Sequence, residues 1–136
     1  MGVGGPPRPR PEPRPDPRSD PRRGLGAIGE DAVARWYEAR GYVVLARNWR
    51  VREGELDLVL RRDGVVVFCE VKTRRGDAFG TPFEAVTRTK QQRLRTLAMR
   101  WLQEHRVRAS QLRFDVAAVR KPRGYAAEIE VIEAAF

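Results

Sequence analysis

The chain predicts an α/β domain with a mixed sheet, in the order helix, three strands, helix, strand. Three observations predict it. Apolar residues fall at helical spacing before residue 40. Two apolar, strand-like runs flank an Asp63-Gly64 pair. A longer helical pattern then leads to another alternating run. A helix that carries the chain back across the sheet places the next strand parallel to its partner, so both kinds of pairing are expected.

Met1–Arg23 holds eight of the ten prolines and six arginines, with almost no apolar side chains. Such a segment buries too little surface to fold and is expected to be a disordered tail, extended by its Pro-Arg alternation. Residues 24–136 are then one small domain, with room for one core and one site. Ile28, Ala32, Trp36 and Ala39 share a helical face and Gly41 closes the pattern, which predicts a helix over Leu25–Arg40. Tyr42–Asn48 reads as a strand, followed by a turn near Arg52-Glu53-Gly54. Asp63-Gly64 is a two-residue hairpin signal, because both central positions of that turn need positive φ. It joins a strand beginning at Glu55 to one ending at Lys72. A Gly/Pro-bearing loop, Thr73–Pro82, leads to a helix over Thr87–His105 whose buried stripe is Leu94, Leu97, Ala98, Trp101 and Leu102. Leu112, Phe114, Val116 and Ala118 then alternate with Arg113, Asp115 and Val119 in a strand. Lys121-Pro122-Arg123-Gly124 turns the chain into a last weak strand through Ile129 and Val131.

The hairpin contains charges that a core does not explain. With the turn at Asp63-Gly64, Arg62 pairs with Val65, Leu60 with Val67, Leu58 with Cys69, Asp57 with Glu70, and Glu55 with Lys72. Leu56, Leu58, Leu60, Val67, Cys69 and Val71 then share an apolar face, and Glu55, Asp57, Glu70 and Lys72 share the other. Two ionised carboxylates ~5 Å apart, at an effective dielectric of about 20, repel by roughly 3 kcal/mol. A divalent cation, Mg²⁺ or Mn²⁺, held by Asp57 and Glu70 would offset that repulsion. With Lys72 beside it, one scissile phosphate would meet a metal, a water and a cation, which makes Asp57, Glu70 and Lys72 the catalytic residues of a phosphodiester hydrolysis site. The same charges would also form a salt-bridge ladder on a solvated face. The apolar stretch before Glu70 points instead to a central strand.

The net charge is +9, and the tail's six arginines against Glu12, Asp16 and Asp20 leave +6 on the domain. That excess fits a polyanionic partner, nucleic acid and first of all DNA, although an arginine-rich coding bias produces the same composition. Arg74 and Arg75 follow Lys72 directly, and Arg88, Lys90, Arg93 and Arg95 crowd the start of the next helix, where they would cradle a phosphate backbone. Phe79 would stack on a base or pack beneath its loop. Cys69 is the only cysteine, which excludes an intramolecular disulfide; it falls on the apolar face, and His105 reads as a surface residue. No apolar run reaches membrane-spanning length and none at the N-terminus resembles a signal peptide, so a cytoplasmic protein without membrane contact is expected.

Gly29-Glu30, Arg47-Asn48, Gly54-Glu55-Leu56-Asp57-Leu58, Phe68-Cys69-Glu70-Val71-Lys72-Thr73-Arg74, Phe79-Gly80, Lys90 and Arg113-Phe114-Asp115-Val116 together resemble the YraN-like family of small uncharacterised bacterial proteins, in order over nearly all of residues 24–119. That family is similar to the PD-(D/E)xK nuclease superfamily and, within it, to archaeal Holliday-junction resolvases. The resemblance implies a restriction-endonuclease-like core and metal ligation by Asp57 and Glu70, helped by the Val71 carbonyl. It further implies that Lys72 is the catalytic lysine and that Glu30 completes the metal site. It also implies work in DNA repair or recombination, and action on a four-way junction would require a homodimer with two sites. Leu56 stands where the superfamily's name places proline.

Several of these residues have plainer readings. Glu30 and Asp31, in the first turn of a helix starting at Leu25, would meet the helix dipole favourably. Glu55 opposite Lys72 reads as a cross-strand pair and Asp115 with Arg113 as a structural pair, while Lys90 meets either a phosphate or water. Three functions are open: a Mg²⁺-dependent nuclease acting on structured or single-stranded DNA, a non-catalytic nucleic-acid-binding module on a nuclease scaffold, and an interaction protein that docks its Pro/Arg tail on a partner. The acid, acid, lysine set favours the first.

Overall fold

The computed structural model describes residues 21–75 and 86–136. The expected tail up to residue 20, Phe79, and the loop expected over Thr73–Pro82 from Gly76 onward lie outside them. The elements are α1 (Pro21–Glu38), β1 (Val43–Val51), β2 (Gly54–Arg62), β3 (Val65–Arg75), α2 (Arg88–His105), β4 (Gln111–Lys121) and β5 (Glu128–Ile132). The strands form one sheet in chain order. All neighbours are antiparallel except β3 and β4, which run parallel because α2 carries the chain back across the sheet. The predicted order and mixed sheet are present, with β5 as an edge strand.

The two helices cover opposite faces. Val33, Ala34 and Tyr37 of α1 pack with Leu58, Leu60, Val67 and Cys69, whereas Leu94, Leu97, Ala98 and Trp101 of α2 pack with Val59, Val66, Phe68 and Phe114. A strand buried on both faces needs apolar residues at every position, which is why Val66–Cys69 reads as an unbroken run. Cys69 is buried as expected, and His105 is exposed, its ring stacked on Trp101. Among the described residues no helix is long and apolar enough to cross a membrane.

The hairpin register holds from Arg62–Val65 to Leu58–Cys69. Its turn differs from the expected one, since Asp63 has φ 53° but Gly64 is not at positive φ. Glycine is required there by proximity: a Cβ would run into Ser110, whose N–H and hydroxyl donate to the Gly64 carbonyl at 2.9 and 3.1 Å. α1 starts at Pro21, ahead of Leu25, and buries Val33, Ala34 and Tyr37, while Ile28, Ala32 and Trp36 are only half-buried. The stripe is rotated because Gly29 lets the helix approach β3 so closely that a Cβ would overlap the Thr73 side chain.

β4 also departs from one-sided alternation. Phe114 and Val116 face α2, but Asp115, Ala117 and Val119 are buried too, on the α1 side. Asp115 is 1% exposed and fully engaged. It accepts from Arg113 Nε and Nη2 at 2.9 Å each, from the Tyr37 hydroxyl at 2.6 Å and from Ala134 N–H at 3.0 Å. The Arg113–Asp115 pair is therefore structural, as expected, and burial holds the Tyr37 hydroxyl well above its ordinary pKa so that it stays a donor. Asp115→Ala should lower the unfolding free energy by about 3–5 kcal/mol, because it removes the buried carboxylate that Arg113, the Tyr37 hydroxyl and the Ala134 N–H share and leaves Arg113 only Tyr42 and, at 3.6 Å, Glu133. Urea unfolding checks this, and a loss no larger than that of an exposed-site substitution would refute it.

Candidate metal centre

Side-chain alternation along β2 fails once. Leu56 and Val59 both join the α2-side core, whereas Leu58 and Leu60 join the α1-side core. The expectation that Leu56 shares a face with Leu58 is thereby corrected. β1 breaks on the same rungs: Ala46, opposite Val59, and Trp49, opposite Leu56, both pack on the α2 side. Between them Arg47 turns toward α1, where it reaches Asp31 at 2.5 Å, and the Asn48 side chain lies beside Glu30 and favours its charged form. Asn48 permits this with a left-handed backbone, φ 51°, a conformation that asparagine tolerates better than most residues.

β2 and β3 pair only as far as Leu58–Cys69, so the expected Asp57–Glu70 and Glu55–Lys72 rungs are absent from the ladder. The break takes Asp57 out of register with Glu70, although both carboxylates line one cleft and the charge of Glu70 still acts on Asp57. Its carboxylate Oδ2 instead accepts the Val71 N–H at 2.9 Å, where a ladder would have supplied a carbonyl.

Glu30, Glu55 and Asp57 each place a carboxylate oxygen within 4.8 Å of the other two. Glu30 lies well inside α1, which has no acid in its first turn, so the helix-dipole reading of Glu30 and Asp31 does not hold. Glu55 is paired by Arg50, opposite it on β1 at 3.0 Å, and not by Lys72. The trio differs from the Glu30, Asp57, Glu70 set implied by resemblance in exchanging Glu70 for Glu55. Glu70, only 7% exposed, has its Oε1 2.5 Å from Lys90 Nζ and 3.4 Å from Lys72 Nζ. Lys90 thus meets a carboxylate rather than a phosphate or water.

Burial pushes the Asp57 carboxyl up to about 7, and the charges of Glu70, Glu30 and Glu55 add to it against the opposing Val71 N–H. Burial also raises Glu30, opposed by Asn48 and Arg47. For Lys90, burial alone would favour the neutral amine, but the hydrogen bond and charge of Glu70 outweigh it and hold the pKa above the ordinary lysine value. Three hard oxygen donors, incompletely compensated by Arg50 and Asn48, suit Mg²⁺ or Mn²⁺, so these residues fit such an ion.

A cleft of about 310 Å³ connects the two sets of charges. Glu55, Asp57, Glu70, Lys72, Lys90 and Arg93 line it above Leu94 and Leu97. Among the described residues Arg74, Arg75 and Arg88 are exposed and stand outside this lining. Arg74 and Arg75 lie beside Arg120 and Lys121 at the end of β4. Arg95 does not join the group, because its guanidinium lies over the Phe114 and Phe136 rings at 4.8 and 5.4 Å. Alternation puts Glu55 on the charged face but assigns it to Lys72 as a cross-strand pair, and it gives no sign of Asn48 and Arg50 as partners of the acidic set. The Glu55-x-Asp57 spacing, which puts both acids on one strand face, was the available signal.

Asp57 binds its proton more tightly folded than unfolded, so without metal its contribution to stability is lost as pH rises from about 4 through about 7. Asp57→Asn keeps an acceptor for Val71 N–H and removes the charge. At pH 8 in EDTA it should raise Tm by about 5 °C or more and flatten this part of the pH dependence. Equal Tm values at pH 8 would contradict the assignment.

A family model described as an uncharacterised protein family, UPF0102, matches residues 29–119, a stretch that contains every residue of the cleft. A UPF0102 protein of Beutenbergia cavernae is 55% identical over 106 residues, covering 78% of this chain and 90% of its own length. UPF0102 proteins of Frankia alni and Nocardia farcinica are each 50% identical over 112 residues, covering 82% of this chain and 93% and 88% of theirs.

Proposed function

The chain belongs to the UPF0102 family, and from that premise and the geometry of the cleft we propose that it is a divalent-metal-dependent nuclease that hydrolyses phosphodiester bonds of DNA. One observation carries the reading. Carboxylates from α1 and β2 converge within 4.8 Å of one another, and the two from β2, Glu55 and Asp57, line a cleft that also presents Lys72 from β3 and Lys90 from α2. The likeness to the PD-(D/E)xK nucleases and resolvases is supported by the same set: an acid on β2, acid-x-lysine on β3, and Glu30 on the first helix.

Glu30, Glu55 and Asp57 would hold Mg²⁺ or Mn²⁺. Bound there, such an ion would supply Lewis-acid polarisation of a phosphoryl oxygen and would lower the pKa of a water, favouring its loss of a proton to become the nucleophile. Glu70 holds Lys72 at the cleft, 37% exposed, where its ammonium can stabilise negative charge developing on the phosphate oxygens. Lys90 adds a second cation from the opposite wall. Arg93 at the cleft, with Arg74, Arg75 and Arg88 beyond it, would contact phosphates on either side of the scissile bond. The competing reading, a non-catalytic nucleic-acid-binding module, draws on the ion pairs of Glu70 with two lysines, which a purely structural network would also show.

The two separate on labelled duplex, single-stranded, flap and four-way-junction DNA with MgCl₂, MnCl₂ or EDTA. The nuclease reading expects metal-dependent cutting of at least one substrate. Lys72→Ala and Asp57→Ala should each reduce cutting about 100-fold or more with DNA binding largely retained. Salt-sensitive binding without cutting in either metal would reject the nuclease and support the module.

A further inference from the structure

The Arg47-Asn48 pair holds a position that cleft chemistry alone does not account for. The register is constant from Arg47–Leu58 to Trp49–Leu56, which sets Asn48 opposite Asp57. A left-handed L residue in the middle of a paired strand is unfavourable, yet it falls on the one rung where both strands reverse their alternation. Regular alternation from Leu58 would instead direct Asp57 away from α1, and Glu30 would have no acid at this rung of β2 within reach.

We propose that Asn48 is a positioning residue of the acidic centre: its backbone turns Asp57 toward α1, and its side-chain amide holds the Glu30 carboxylate in place. This inference rests on the metal reading given above. From β1, Arg47 donates to Asp31 at 2.5 Å and Arg50 to Glu55 at 3.0 Å, with the Asn48 amide between them beside Glu30. The middle donor differs from the other two in being neutral. An amide orients Glu30 without cancelling its charge, which leaves that charge for a cation. Glycine would satisfy the backbone equally well, so the amide is the part that only asparagine supplies.

Calorimetric titration of the metal-free protein with MnCl₂ tests this, with circular dichroism as the check on folding. Wild type should bind. Asn48→Gly keeps the backbone geometry and loses the amide, so it should remain folded and bind Mn²⁺ roughly 10–100-fold more weakly. In a Glu30→Gln background the same change should have little further effect, because Asn48 acts through Glu30. Wild-type affinity in Asn48→Gly would overturn the positioning role while leaving the metal reading intact, and additive losses in the double variant would overturn the route through Glu30. Absence of Mn²⁺ binding by wild type would overturn the metal reading, and this inference with it.

Discussion

The rung shared by Asn48 and Asp57 is the constraint on which the site depends. In a regular hairpin Asp57 and Glu70 would oppose each other on one face, with a repulsion of roughly 3 kcal/mol. The paired break brings Asp57 within reach of Glu30 and Glu55, while Glu70 pairs with two lysines. Ladder rungs beyond Leu58–Cys69 are lost, and the Val71 N–H bond to Asp57 offsets part of that loss. Trp49 and Leu56 stay in the α2-side core, so the break costs little apolar burial.

Each helix contributes one sign of charge, and each is held in place by contacts outside the cleft. Gly29 fits against Thr73, one residue before Glu30, and Tyr37 is tied to Asp115 further along α1. Contacts at both places fix the rotation of the helix, and with it the direction of Glu30. α2 is capped by Thr87, whose Oγ1 accepts the Lys90 N–H at 3.2 Å, and is anchored by Leu94 and Leu97. A lysine in the first turn works against the helix dipole, and the carboxylate of Glu70 compensates it.

Much of this was legible in the residues. Asp63-Gly64 and strict alternation yield the hairpin register, and the 3.6-residue spacing of Leu94, Leu97, Ala98, Trp101 and Leu102 yields the buried face of α2. The same alternation misplaced Leu56 and paired Glu55 with Lys72, because a period of two assumes one backbone conformation along the whole strand. Asn48 interrupts it, and an asparagine in a strand-like run signals that capacity only weakly. Helical spacing starts α1 only at Leu25 because prolines and arginines dominate the stretch before it, although Pro21 suits a first helical position, where its missing N–H has no partner to lose. The hairpin signal gives Gly64 a positive φ, whereas the glycine answers to the approach of Ser110, a contact set by the β3–β4 pairing and invisible locally.

The most direct test of the central claim is diffraction from Mn²⁺-soaked crystals at the manganese absorption edge. The account predicts an anomalous peak bounded by Glu30, Glu55 and Asp57, with Glu70 still on Lys72 and Lys90. A peak seated between Asp57 and Glu70 and away from Glu30 and Glu55, or no peak in the cleft at all, would contradict it.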